Sequence, residues 1–160
     1  SHVADADAFV RGGSNSANNY GSDVHLKVKD ATTADVDRQT YLKFDLNSTG
    51  LTSCTSAKRR LYCNYVDGME TVTAYAVTND GWTESNIRWN NKPPAGSSLQ
   101  GVSVGTSGGW YEWDVTSFVD TQLGGDGVVS IVLKHPASTD IQHRFNSREA
   151  SADKPVLVIE

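Results

Sequence analysis

Val24-His-Leu-Lys-Val-Lys29 alternates apolar and polar residues without a break, and Tyr41-Leu-Lys-Phe-Asp-Leu46 repeats the pattern. Successive side chains of a strand leave on opposite faces, so Val24, Leu26 and Val28 turn toward a core while His25, Lys27 and Lys29 turn to solvent. In the second stretch Leu42, Phe44 and Leu46 are expected to point inward and Tyr41, Lys43 and Asp45 outward. Ala8-Phe-Val-Arg11 reads as an earlier strand, and the Gly- and Asn-rich run from Gly12 to Gly21 reads as a loop. Further strands are expected at 57–66, 71–77, 101–104, 109–113, 128–135, 141–147 and 155–159. One helical candidate interrupts them, Asp114–Leu123, with Asp114 capping its first turn, Val115, Phe118 and Val119 on one face, and Gly124-Gly125 ending it.

Composition agrees with many short strands. Ser, Thr, Asn and Gly make up 55 of the 160 residues, beside 17 Val, which favours pleated segments and tight turns over helices. With no internal repeat and no dividing linker, the expected fold is all-β, a β-sandwich of jelly-roll type with one short helix, in a single domain over 1–160. Hydrophobic residues at 38% are enough for a packed core, and a net charge of −5 argues against an overall basic nucleic-acid binder. No apolar run approaches a membrane span, and the start lacks the pattern of a secretory signal. Ser1-His2 reads as a tag remnant, and the chain as a module excised from something larger. Cys54 and Cys63 stand nine apart, which excludes a Cys-x-x-Cys motif and leaves either a disulfide or two inert thiols.

Catalytic motifs are absent. The sequence holds no Gly-x-Ser-x-Gly elbow, no His-Glu-x-x-His zinc motif and no phosphate-cradling glycine loop. Its four histidines are scattered. A Tyr and His on a sheet face beside Arg would suffice to take the proton alpha to a uronate carboxylate, so a small polyuronate lyase is one alternative. A chain of 160 residues leaves little room for the deep cleft such chemistry needs.

The cations are unevenly placed. Residues 1–61 carry eight basic and seven acidic groups, whereas 62–160 carry six and twelve. Lys27 and Lys29 share one face of a strand, as do Lys58 and Arg60 on another and Arg144 with Asn146 on a third, while Lys43 accompanies Tyr41. If these strands share a sheet, the cations form a grid about 4.8 Å by 6.6 Å on which an extended polyanion lies. A lone outward lysine is ordinarily a solvated guard against edge aggregation, but several converging without matching acids need another explanation. Of the tryptophans, Trp89 and Trp113 are expected in the core, and Trp82 and Trp110, each beside a glycine, at loop ends.

Ala6-Asp-Ala-Phe-Val-Arg11, Asn19-Tyr-Gly21, Arg38-Gln-Thr-Tyr-Leu-Lys-Phe-Asp-Leu46, Trp82-Thr-Glu84, Ile87-Arg-Trp-Asn-Asn91 with Pro93, Trp113-Asp-Val-Thr116 and Phe145-Asn-Ser-Arg-Glu149 resemble, in order, the DNRLRE-type domains. These include carbohydrate-binding module family 96, whose members are appended to polysaccharide lyases. The resemblance implies a jelly-roll sandwich that binds acidic polysaccharide such as alginate, secreted, covalently linked to a catalytic domain, with neither nucleic acid nor membrane as partner. It implies basic site positions at Lys27, Lys29, Arg38, Lys43, Arg144 and Arg148. With Arg60 and with Tyr41 packing on a sugar ring, these complete the expected ligand face. Arg59 departs from the family pattern, which leaves Arg59 and Arg60 as rivals for one place on that face. No cofactor is required, although related sandwich modules hold a structural calcium near the first strand, where Asp5, Asp7 and Asn19 offer oxygens. A structural or adhesive surface domain with a protein partner is the remaining alternative.

Overall fold

The computed structural model describes residues 1–160, the side chain of residue 34 excepted. The described strands are β1 (His2–Val3), β2 (Ala6–Arg11), β3 (His25–Lys29), β4 (Arg38–Asp45), β5 (Ala57–Val66), β6 (Glu70–Val77), β7 (Ser98–Val104), β8 (Gly109–Asp114), β9 (Val128–Lys134), β10 (Gln142–Asn146) and β11 (Val156–Ile159), with helix α1 (Thr116–Leu123) before β9. Every pairing is antiparallel, in the order β1-β11-β5-β10-β3-β4-β9-β6-β7, with β2 on the free edge of β4 and β8 on that of β5. The sheet curls onto itself as an all-β sandwich of jelly-roll type. Among the described residues no helix is long and apolar enough to cross a membrane.

The curl is closed by one apolar core. Leu26 and Val28 of β3, Leu61 and Cys63 of β5 and Phe145 of β10 meet Leu42 and Phe44 of β4 and Val129, Ile131 and Leu133 of β9. Trp113 is fully buried among them, its indole N–H donated to the Val72 carbonyl at 2.8 Å and its ring edge-on to Phe145. Helix α1 caps one end of this core with Val119 and Leu123; Asp114 accepts the Thr116 N–H and hydroxyl, so its cap acts just ahead of the first helical residue. Arg59 takes the inward position on β5 and Arg60 the outward one. The buried Arg59 guanidinium lies 4.5 Å from the Trp113 ring centre, with no hydrogen-bond acceptor among the described residues. Burial draws it down to about 9.

The outward reading of Tyr41 is overturned, because β4 is buried on both faces. Residues 78–97 form a long covering segment over the second face, where Trp82 and Ile87 pack on Ala8, Val10, Tyr41 and Val132. The Tyr41 hydroxyl donates to the Pro93 carbonyl at 2.7 Å. Alternation identifies two faces but says nothing of whether a distant segment covers the polar one. The same cover buries Trp82, contrary to its expected place at a loop end, with its indole N–H on the Ser130 hydroxyl at 3.1 Å. Cys54 and Cys63 are separate free thiols, the second buried in the core.

His135 and His143 form a buried pair between β9 and β10. His143 Nε2 lies 2.7 Å from the Val104 carbonyl and must donate to it, which leaves Nδ1 to accept the His135 Nε2 proton at 2.8 Å. His135 Nδ1 then meets no partner, so a second proton there would sit buried and unsatisfied. Burial and the neighbouring His143 accordingly hold the His135 imidazole down to about 4. A folded value below the unfolded one gives stability that is complete above pH ~6.5 and lost as pH falls toward 4. Asp7 runs the other way, since burial lifts its carboxyl to about 8 and its contribution is lost as pH rises. Comparison with a His135→Gln variant isolates the imidazole. Between pH 7 and 4.5, urea unfolding is expected to show the parent losing about 2–3 kcal/mol more than the variant, and equal losses would remove the pair from this role.

Candidate functional site

Strands β3, β10, β4 and β2 bring five cations onto one outer region. The register sets Lys27 opposite Arg144 and Lys29 opposite Gln142. At the end of β4, Arg38 stands opposite Lys29 on one side and Arg11 on the other. Residues directly opposite in an antiparallel pair project to the same side, so Arg11, Arg38 and Lys29 make one row and Lys27 with Arg144 the next. Leu26, Val28, His143 and Phe145 alternate with them and are buried, which leaves the cations no inward option.

Like charges placed directly opposite cost a sheet about 0.2–1 kcal/mol per pair. None of these five cations has a carboxylate within ion-pair distance among the described residues. Neutral amides orient two of them instead. Arg38 donates to Gln142 Oε1 at 2.7 Å, and Arg144 Nε donates to Asn64 Oδ1 at 2.7 Å while its guanidinium lies 5.3 Å from the Tyr65 ring centre. Lys27 Nζ stands 5.0 Å from the Phe9 ring centre. Partial burial lowers the Lys27 ammonium below its ordinary range, and Arg38, Arg144 and Arg11 add to the lowering against an opposing pull from Asp23. His25, next along β3, is lowered by burial and by Arg144. Tyr65 is 40% exposed and presents a ring beside these cations.

The remaining expected residues lie elsewhere. Lys43 is on the covered face of β4, where Nζ donates to the Asp80 carbonyl at 2.7 Å and to that of Trp82, with the indole centre 4.6 Å away. It fastens the covering segment. Arg60 shares the outer face with Lys58, but β8 supplies acids opposite both, Glu112 at 2.8 Å from Arg60 and Asp114 on Lys58. Arg148 bonds Glu84 at 3.1 Å and the Ala4 carbonyl at 3.2 Å, and lies 3.7 Å from Glu149. Tyr41 is buried, as described. Sequence reading missed Arg11, Tyr65 and the two orienting amides; Arg11 had a signal, since it is the charged residue that ends the otherwise apolar stretch Ala8-Phe-Val-Arg11.

The three expected oxygen donors do not converge. Asp5 accepts from His2 and from the Asp45 N–H, and Asn19 splints the covering segment by donating to the carbonyls of Glu84 and Ile87. Asp7 stands instead with Glu84 and Glu149, one oxygen from each lying within 4.8 Å of the others.

The model of carbohydrate-binding module family 96 matches residues 1–160. A gellan lyase from Bacillus sp. is 30% identical over 161 residues, covering 96% of this chain. The chain spans 6% of that relative's length.

Two substitutions separate a fastening cation from an uncompensated one. Lys43→Met strands two carbonyls under the covering segment and is expected to cost about 1–3 kcal/mol in urea unfolding. Arg11→Gln relieves a like-charge pair and is expected to leave stability unchanged or raise it by up to about 1 kcal/mol at low salt. A comparable loss from both would mean that Arg11 is a structural cation as well.

Proposed function

The chain belongs to carbohydrate-binding module family 96, a family of non-catalytic binding modules, and from that premise we propose that it holds an acidic polysaccharide, alginate, against the row of Arg11, Arg38, Lys29, Lys27 and Arg144. The observation that carries the reading is the set of like-charge cross-strand pairs steered by neutral amides. Such pairs work against folding, and a polyanion laid across them turns repulsion into attraction. Alginate bears a carboxylate on every sugar, so several cations are engaged at once by one chain. Tyr65 replaces Tyr41 as the ring available to a sugar face. Lys43, Arg60 and Arg148 are left out, since each is committed to carbonyls or acids of its own protein.

Contacts of this kind are individually weak. At about 0.2–1 kcal/mol each, five exposed pairs with added hydrogen bonds support a Kd between millimolar and micromolar. Such an affinity suits a module that keeps an attached enzyme on its polymer by repeated rebinding. We propose that the module is secreted and linked to a polysaccharide lyase, as the gellan lyase likeness suggests, with gellan as the rival polymer.

Affinity electrophoresis through alginate-loaded gels tests the site. The parent is expected to be retarded at low salt and released near 1 M NaCl, where screening acts within about 3 Å instead of about 10 Å at 0.1 M. Lys27→Ala, Lys29→Ala and Arg144→Ala combined are expected to abolish the retardation, whereas Arg60→Ala preserves it. Unchanged migration of the triple variant would falsify the site, and stronger retardation in gellan than in alginate would reassign the polymer.

A further inference from the structure

At the junction of β2, the covering segment and the turn after β10, three carboxylates meet one guanidinium. Asp7 is only 1% exposed, and its Oδ2 accepts the Arg148 N–H at 2.8 Å while its Oδ1 meets no donor among the described residues. Glu149 Oε2 is likewise buried without a partner. Arg148 NH1 donates to both oxygens of Glu84 and lies 3.7 Å from Oε1 of Glu149, and it makes no hydrogen bond to either orphaned atom. Glu84 Oε1 also accepts the Asp7 N–H at 3.0 Å, which holds the two side chains together. Buried carboxyl oxygens without a partner are costly, and a native structure satisfies them with a proton, a water or a cation.

We propose that Asp7, Glu84 and Glu149 bind a calcium ion. The donors are all hard carboxylate oxygens, with no imidazole or thiolate, which disfavours zinc and copper. Their mutual separation of up to 4.8 Å is what a shell of about 2.4 Å radius spans, within the calcium range of 2.3–2.6 Å. Glu84 and Glu149 are 25% and 23% exposed, so the outer side of the ion is open to the waters that complete six to eight oxygens. Magnesium demands near-ideal octahedral geometry and is less suited to an irregular set from three segments. The ion would tie residues 7, 84 and 149 together and thereby pin the covering segment to both ends of the chain.

Calorimetry and thermal unfolding of the EDTA-stripped chain, with calcium chloride as probe and no polymer present, test this apart from any glycan binding. One calcium per chain is expected, with Tm rising by about 5–10 °C at a hundredfold excess over Kd. Asp7→Asn keeps the shape of the side chain and is expected to abolish both responses. Should that variant fail to fold, Glu149→Gln, at the more exposed rim, is expected to weaken calcium at least tenfold. The absence of any calcium heat or Tm shift in the parent overturns the site, as does a full response in Asp7→Asn or in Glu149→Gln. An equal shift with magnesium chloride overturns the assignment to calcium.

Discussion

The register of β3 on β10 is the constraint from which the outer surface follows. Leu26 opposite Phe145 and Val28 opposite His143 enter the core, so Lys27 opposite Arg144 and Lys29 opposite Gln142 have to leave it. Because strand side chains alternate with a period of two, a slip of β3 by one residue would bury Lys27 and Lys29 and expose Leu26 and Val28. Full burial of an apolar side chain contributes about 1.5–3 kcal/mol, whereas a like-charge pair across strands costs about 0.2–1 kcal/mol. Packing wins, and the charge repulsion on the far face is tolerated as its consequence.

That face is divided. Toward β8, each cation of β5 has an acid opposite, Asp114 for Lys58 and Glu112 for Arg60, in the manner of an ordinary solvated sheet surface. Toward β3 and β4 the opposing residues are cations or amides. A protein of net charge −5 has enough carboxylates to neutralise both halves. At paired strand positions acids stand opposite only the cations of β5, which leaves a positive stripe across β3, β4 and β10, and a stripe of that sort attracts anions from beyond contact distance.

The strands, β1 excepted, and the helix were legible in the sequence because each carries its own periodicity and turn signals, and their ends shift by only a few residues. What stayed hidden depends on partners remote in sequence. Lys27 and Lys43 look alike on paper, both polar positions of alternating strands, and only the cover at 78–97 separates them. Arg60 and Arg144 differ only in whether the neighbouring strand brings Glu112 or Asn64. Arg148 stands beside Glu149 in the sequence, yet the Glu84 that holds it comes from sixty-four residues away. A single sequence without strand order cannot assign such partners, whereas the family motif could be read because its residues are packing residues.

Amide partners also determine how ready the cations are. An unrestrained lysine or arginine gives up about 0.5–1.5 kcal/mol of side-chain freedom when a ligand immobilises it. Gln142 and Asn64 hold Arg38 and Arg144 in place beforehand, and Asn146 in turn accepts from Asn64 at 2.6 Å, which fixes which way its amide faces. Carboxylates would orient the guanidiniums more strongly, but an incoming anion would then have to displace them. Neutral acceptors constrain geometry without cancelling charge, so the part of the sheet most strained by repulsion keeps both its positive charge and a fixed arrangement of its arginines, which is what the proposed binding of an anionic chain asks of it.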